Sequence, residues 1–339
     1  MWVNQMAGIK DVAKKAGVGV GTVSRAVNNT GYVALETRKK IERAMKELNY
    51  TPNELARNLY HKRTGIVAVL VPTVAHPFFS EFLEGVEAEL HERGYKTMIC
   101  STNKEKNYEM EYLEMLKRHI VDGIITGVHS LNIQEYQNID KPIVALDRYL
   151  GEKIPVVAVD HQAGGRMAAE ELLHSGCRSV IQFSQAKQIE APAQARHVAF
   201  EEYLVKRKVK VYTYELERNR FEIEYYLNIC KELVEKYSDV DGIFGADLPA
   251  ITYMKAAMSA GKRIPEDLKV VAYDGTKITE AVYPSITVVK QPIEKLAKEA
   301  SRLIVNKIEG KEYINRTVEL KTELIKGNST WNQRGANIK

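Results

Sequence analysis

Residues 9–28, IKDVAKKAGVGVGTVSRAVN, read as two short helical patterns around a glycine-bearing turn. In the first, Ile9, Val12, Ala13 and Ala16 recur at i, i+3, i+4 and i+7, so they share one face while Asp11, Lys14 and Lys15 point outward. Gly17 supplies the sharp turn. The second pattern, about Val20 to Val27, turns Val23, Ala26 and Val27 inward and leaves Thr22, Ser24, Arg25 and Asn28 outside. A third amphipathic stretch, Glu36 to Leu48, offers Ile41, Ala44, Met45 and Leu48 to the same apolar centre. Three short helices around one centre make a helix-turn-helix unit whose second helix can enter a major groove.

A small bundle with solvated charges would show the same periodicity, and charge separates the two readings. Residues 1–63 hold 12 Lys or Arg against 5 Asp or Glu, a surplus of +7 in a chain of net charge +5, so the remainder carries −2. A basic surplus confined to the N-terminal piece is what neutralisation of DNA phosphates requires. Gly17, Gly19 and Gly21 also suggest a cofactor loop, but no strand precedes them as a dinucleotide fingerprint would need.

The segment resembles the headpiece of the lactose/galactose repressor (LacI/GalR) family of bacterial transcription regulators. The resemblance rests on Asp11-Val12-Ala13, Ala16-Gly17-Val18, Thr22-Val23-Ser24-Arg25, Thr37-Arg38 and Asn49-Tyr50-Thr51-Pro52-Asn53, and it extends over nearly the whole chain. It implies that Val20, Gly21 and Arg25 face base edges while Thr22, Ser24 and Asn28 mostly hold phosphates. Arg25 can reach guanine O6 and N7 bidentately, whereas Val20 offers apolar contact to a thymine methyl. Two departures bear on stability: Gly19 and Ala34 stand where family members commonly carry serine caps. Alanine at a cap gives up an acceptor worth about 1 kcal/mol.

Asn53 to Tyr60 is too short to be a stable helix alone, because nucleation is costly and few bonds repay it. The resemblance implies a hinge that folds when two subunits sit on DNA, with Asn53, Ala56 and Leu59 at the duplex and Leu59 wedged into the minor groove. His61 to Thr64 then forms a basic, polar boundary. The expected division is a headpiece at 1–52, a hinge and linker at 53–64, a core at 65–327 and a polar tail at 328–339.

Apolar, β-rich runs recur through the core at Ile66–Val71, Thr97–Ser101, Gly123–Thr126, Ile143–Leu146, Val156–Val159, Val180–Ser184, Val209–Tyr214, Gly242–Gly245, Val270–Tyr273 and Ile286–Val289. Amphipathic stretches such as Phe78–Arg93, Tyr108–His119, Gly164–Ser175, Ala195–Lys206 and Ile223–Tyr237 separate them. Continuous Val/Ile strands alternating with helices predict parallel sheets covered on both faces. The fold class is therefore a small all-α headpiece plus an α/β core of two doubly wound parallel-sheet lobes, which the resemblance makes periplasmic-binding-protein-like.

Ligands of such sheets bind outside the carboxyl ends of the strands, and between two lobes that edge becomes a cleft. Candidates there are Phe78 and Phe79 after the first strand, Asp147 after the fourth, Arg196 opening a helix, Phe221 in a charged loop, Asp247 and Asp274 at strand ends of the second lobe, and Gln291 after the last long strand. Singly, the phenylalanines read equally as core and the aspartates as helix caps. Together they offer carboxylates and a guanidinium fork to hydroxyls, and aromatic faces to a sugar ring. The family's usual Ser-Asn-Asp is Gly245-Ala246-Asp247 here, which removes an amide from position 246. Leu146 to Gly151, Glu190 to Arg196 and Tyr273 to Thr276 look most like sucrose-operon repressors of Gram-positive bacteria, implying sucrose or a phosphorylated sugar as effector.

Cys100, Cys177 and Cys230 are odd in number and lack metal spacing, which reads as reduced thiols of a cytoplasmic protein, nucleoid-associated when on DNA. Met1–Lys15 has no apolar signal-peptide core, no run reaches membrane length, and no Walker loop, G-x-S-x-G elbow or H-E-x-x-H occurs. The expectation is a non-enzymatic regulator without cofactor or metal, homodimeric because a two-fold operator needs two readers. The alternatives are a cytoplasmic sugar-binding or sugar-modifying protein without specific DNA binding and a dinucleotide-dependent oxidoreductase.

Overall fold

In the computed structural model of the chain, the described residues are 7–28, 30–51, 63–102, 108–128, 133–185, 191–217, 220–311 and 317–330. The chain divides into two compact units, Met1–Thr64 and Gly65–Lys339.

The first unit holds α1 (Ile9–Ala16), α2 (Val20–Asn28) and α3 (Leu35–Glu47). Val12, Ala13, Val23, Ala26, Ile41 and Ala44 form its centre, with Ile9, Ala16, Val27, Met45 and Leu48 partly buried around it. Gly17 takes φ 66°, a left-handed cap that ends α1 and that a side chain would resist. Asp11 Oδ2 accepts from the Gly8 amide at 2.8 Å and places a negative charge at the start of α1. Arg38 of α3 donates from Nη1 to the carbonyl of Ala26 at 2.9 Å and so ties α3 to α2. Each large apolar side chain in so small a centre is worth about 1.5–3 kcal/mol, so the unit is sensitive to its caps. Ala34 provides none: no side-chain hydrogen bond caps α3.

Among its described residues the second unit contains two six-stranded sheets. The first lobe is built on β1 (Ile66–Val71), β2 (Lys96–Ser101), β3 (Gly123–Thr126), β4 (Ile143–Leu146), β5 (Val156–Val159) and β11 (Thr317–Leu320), in the order β11-β5-β4-β3-β1-β2. The second is built on β6 (Ser179–Ser184), β7 (Lys210–Glu215), β8 (Gly242–Ala246), β9 (Lys269–Asp274), β10 (Thr287–Lys290) and β12 (Glu323–Ile325), in the order β12-β10-β9-β8-β6-β7. All pairings are parallel except β10 with β12. The run IVAVLV of β1 is apolar throughout because β1 is interior to its sheet and both faces are covered, by the cluster of Val67 and Phe82 and by that of Ala68 and Leu113.

Helices cover the sheets: α4 (Pro77–Glu92), α5 (Glu109–Lys117) and α6 (Ile133–Gln137) in the first lobe, and α7 (His161–His174), α8 (Gln194–Val205), α9 (Ile223–Lys236) and α10 (Asp247–Ser259) in the second. The last helix, α11 (Ile293–Ile308), follows a strand of the second lobe but buries Leu296, Ala297 and Ile304 with Val67 and Phe82 of the first. Among the described residues the chain therefore crosses between lobes three times, after β5, after β10 and between β11 and β12. The expected polar tail is corrected at its start: Ser329 is fully buried, accepts from the Thr287 amide and donates to the Val270 carbonyl, and Thr330 meets the Thr287 hydroxyl. Residues 328–330 finish the second lobe: the Asn328 and Ser329 amides donate to the Ser285 carbonyl, and the Ser329 hydroxyl pairs with backbone groups of β9 and β10.

Candidate functional site

In the first unit, burial of Val23 and Ala26 turns the opposite face of α2 to solvent. Val20, Gly21 and Arg25 are exposed there, with Thr22, Ser24 and Asn28 partly so. Side chains along this face are linked: Arg25 Nη2 donates to Thr22 Oγ1 at 3.3 Å, and Asn28 Nδ2 to Ser24 Oγ at 3.2 Å. A helix with hydroxyls, an amide and an exposed guanidinium on a single face, backed by a basic surplus, suits a nucleic-acid groove. Asn53, Ala56 and Leu59 lie outside the described residues.

Between the lobes lies a cavity of about 160 Å³ lined by strand-end residues of both. Phe78, Phe79, Asp147, Arg196, Phe221, Asp274 and Gln291 all border it, so seven of the eight expected side chains converge. Asp147 and Asp274 are non-glycine residues at positive φ, 49° and 107°. Such backbone is costly and persists where the surroundings over-determine it, here at the carboxyl ends of β4 and β9. Gln291, at the crossover after β10, donates from Nε2 to Asp274 Oδ1 at 2.7 Å.

Arg196 is buried, its guanidinium 4.3 Å above the Tyr273 ring. Its Nε donates to His197 Nε2 at 3.2 Å, and His197 meets Gln182 Oε1 through Nδ1, also at 3.2 Å. Burial, and then the Arg196 charge, lower the His197 pKa well below the usual imidazole range, which keeps Nε2 an acceptor. Gly165 makes this placement possible. A Cβ there would stand 2.0 Å from the Arg196 carbonyl oxygen, so only glycine lets α7 approach α8 at the arginine.

Asp247 is the exception among the eight. It does not border the cavity; its carboxylate accepts from the Gly275 amide at 3.2 Å, the Thr276 amide at 2.8 Å and the Thr276 hydroxyl at 2.6 Å. Opening α10 directly after β8, it is spent on holding the loop that follows Asp274. Both carboxyl groups are pushed above the ordinary range, chiefly by burial, and Asp247 additionally by the charge of Asp274.

These geometries coincide with two family matches: residues 8–53 match "Bacterial regulatory proteins, lacI family", and residues 169–330 match the periplasmic binding protein-like domain. A ribose operon repressor of Halalkalibacterium halodurans is 39% identical over 321 residues, covering 94% of this chain and 96% of its own length. The chain belongs to the lacI family of bacterial regulatory proteins. A sucrose operon repressor of Streptococcus mutans is 38% identical over 305 residues, 90% of this chain and 93% of its own. The crystal structure of a periplasmic binding protein/LacI transcriptional regulator from Alkaliphilus metalliredigens, complexed with D-xylulofuranose, is 30% identical, with a TM-score of 0.71 over 79% of this chain and 100% of its own.

As a lacI-family protein the chain is a DNA-binding transcriptional regulator and not an enzyme, with a helical N-terminal reader and a two-lobed periplasmic-binding-protein-like core. No helix among the described residues is long and apolar enough to cross a membrane. Sequence reasoning missed two histidines of this lacI-family site. His161 opens α7 and meets Asp147 and Tyr273; its signal was its place directly after a strand-end aspartate. His76 sits as the N-cap of α4 before Pro77, its ring 5.6 Å from Phe79 and 5.7 Å from Phe221. Burial and the Arg196 charge lower its pKa to about 4. Its local signal is weak, because a histidine before a proline at a helix start reads as a cap.

Proposed function

We propose that this protein is a homodimeric repressor of carbohydrate-utilisation genes, binding a pseudo-palindromic operator and responding to a small sugar held between its lobes. Val20, Gly21 and Arg25 read base edges, Thr22, Ser24 and Asn28 hold phosphates, and Asn53, Ala56 and Leu59 act at the operator centre. The observation that carries the effector half is the convergence of Asp147 and Asp274, from opposite lobes, with Arg196 and the faces of Phe79 and Phe221 on one cavity. Carboxylates accept paired hydroxyls, guanidinium donates a fork, and an aromatic face covers the apolar side of a sugar ring.

Size favours a single ring. At about 160 Å³ the cavity is well below the roughly 300–1,000 Å³ of sites that enclose drug-sized ligands. A pentose or hexose is the effector this arrangement of the lobes suits. The sucrose reading is supported by the relative named for that operon and needs the lobes further apart. Calorimetric titration with D-ribose, D-xylulose, sucrose and sucrose 6-phosphate tests the choice, and tighter binding of either disaccharide overturns it. The same sugar should loosen the protein's grip on its operator, and Asp274→Ala should abolish that response while sugar-free operator affinity stays intact. Coupling of this kind requires different sugar affinities in the two lobe arrangements. A variant still released by the sugar refutes the assignment.

A further inference from the structure

Among the described residues of the cavity wall, His76 is a buried polar side chain whose chemistry the assignments above leave unused. It is nine-tenths buried and borders the cavity. Its Nδ1 is sealed away with no hydrogen-bond partner among the described residues, so Nε2 is the nitrogen left to face the cavity. Phe79 of the first lobe and Phe221 of the second stand against the ring from two sides, at interplanar angles of 59° and 81°. The backbone fixes its position as well: Pro77 begins α4, and the Ser80 amide donates to the His76 carbonyl at 3.0 Å.

We propose that His76 is a specificity-determining contact of the effector site, donating one hydrogen bond from Nε2–H to an oxygen of a polyhydroxylated ligand whose apolar side rests on Phe221. The proposal rests on the sugar reading of this site and adds to it one named donor and its direction. A sealed N–H donor without a partner is rarer and costlier than a sealed lone pair, so the proton belongs on Nε2 and Nδ1 stays bare. The neutral ring follows from the same burial and from Arg196, which opposes a second positive charge. A site hydrogen-bonding a ligand hydroxyl discriminates strongly against the analogue lacking it, because the donor is then left unpaired in a dry wall.

The test is a thermodynamic cycle on the full chain. Wild type and His76→Phe, which keeps the ring and its stacking but removes the donor, are titrated by calorimetry with D-ribose, D-xylulose and sucrose. The tightest binder is then replaced by each of its singly deoxygenated derivatives. The parent sugar should bind His76→Phe about tenfold more weakly than wild type, roughly 1.4 kcal/mol. One derivative should lose the same factor on wild type and nothing further on the variant. If every derivative loses equally on both proteins, the contact is refuted while the sugar site stands. If none of the three sugars binds wild type, the sugar reading fails and takes the contact with it. An unchanged melting temperature of sugar-free His76→Phe certifies its fold; should that variant not fold, His76→Leu carries the same comparison.

Discussion

His161 Nε2 lies 3.0 Å from Asp147 Oδ1, although His161 opens the first helix of the second lobe and Asp147 ends a strand of the first. Its other nitrogen, Nδ1, is 3.0 Å from the Tyr273 hydroxyl, and the two rings stack at 24°. One imidazole thus joins the cavity carboxylate of one lobe to the tyrosine beneath Arg196 in the other. His161→Leu takes a partner from the buried Tyr273 hydroxyl, at a cost of about 1–3 kcal/mol, and leaves the partly exposed Asp147 carboxylate unoriented. Lower stability in denaturant titration and at least tenfold weaker sugar binding are expected. Unchanged sugar affinity would show that Asp147 is oriented without it.

On the DNA side, Arg25 of α2 can make a bidentate contact with a guanine edge, and it is exposed on the face turned away from the apolar centre. Arg25→Ala should weaken operator binding by about 1–3 kcal/mol and relax preference at one base position, with a smaller effect on bulk DNA. Anisotropy titrations at fixed salt against operator and random duplexes measure both. Equal losses on the two would make Arg25 a phosphate contact instead.

Close approach of α7 to α8 at Gly165 gives a prediction remote from any ligand atom. In Gly165→Ala the new methyl falls 2.0 Å from the carbonyl oxygen and 2.7 Å from the Cα of Arg196, backbone atoms that cannot swing aside. Overpacking of this kind costs about 1–3 kcal/mol. Sugar binding should fall with it because Arg196 moves, while the separate N-terminal unit keeps its operator affinity. A variant with wild-type melting and sugar affinity would mean that the helices part at no cost.

How much of this was legible beforehand depended on how local the signal was. The strands β1, β3, β4 and β5 are apolar runs buried on both faces, and they appear where the sequence suggested. β11 and β12 escaped because TVEL and ELI are short, alternate between exposed and partly buried residues, and carry charges. Of the seven expected residues that border the cavity, Asp147, Asp274 and Gln291 were legible because strand ends of a doubly wound sheet must meet at one edge, whereas Arg196 and Phe221, off the strand ends, were legible through the family resemblance. Asp247 misled because a strand-end aspartate looks alike whether it turns to the cleft or to its neighbour's backbone amides, and the Gly275 and Thr276 donors that claimed it lie 28 and 29 residues away. His161 and Arg196 depend on partners more than a hundred and nearly eighty residues distant, of which no local pattern speaks.

Buried carboxylates so placed give stability a definite dependence on pH. Folding raises both Asp274 and Asp247 above the ordinary carboxylate range, chiefly through burial, and Asp247 also through the charge of Asp274. A raised folded-state pKa means that the folded chain holds protons that the unfolded chain has released. The stabilisation is complete below the ordinary carboxylate range and is lost progressively as pH climbs from that range through the raised values of the pair. The melting temperature of the two-lobed core should therefore fall as pH rises from about 4 toward neutrality and above. Asp247→Asn takes one of the two groups out of the titration: one donor among Gly275 and Thr276 loses its acceptor, which lowers stability at the acid end, but the fall of stability with rising pH should flatten. Scanning calorimetry of both proteins across that range measures the two slopes. Equal slopes would mean that the three donors to Asp247 hold it ionised in the folded protein, and that its burial is fully offset by hydrogen bonding.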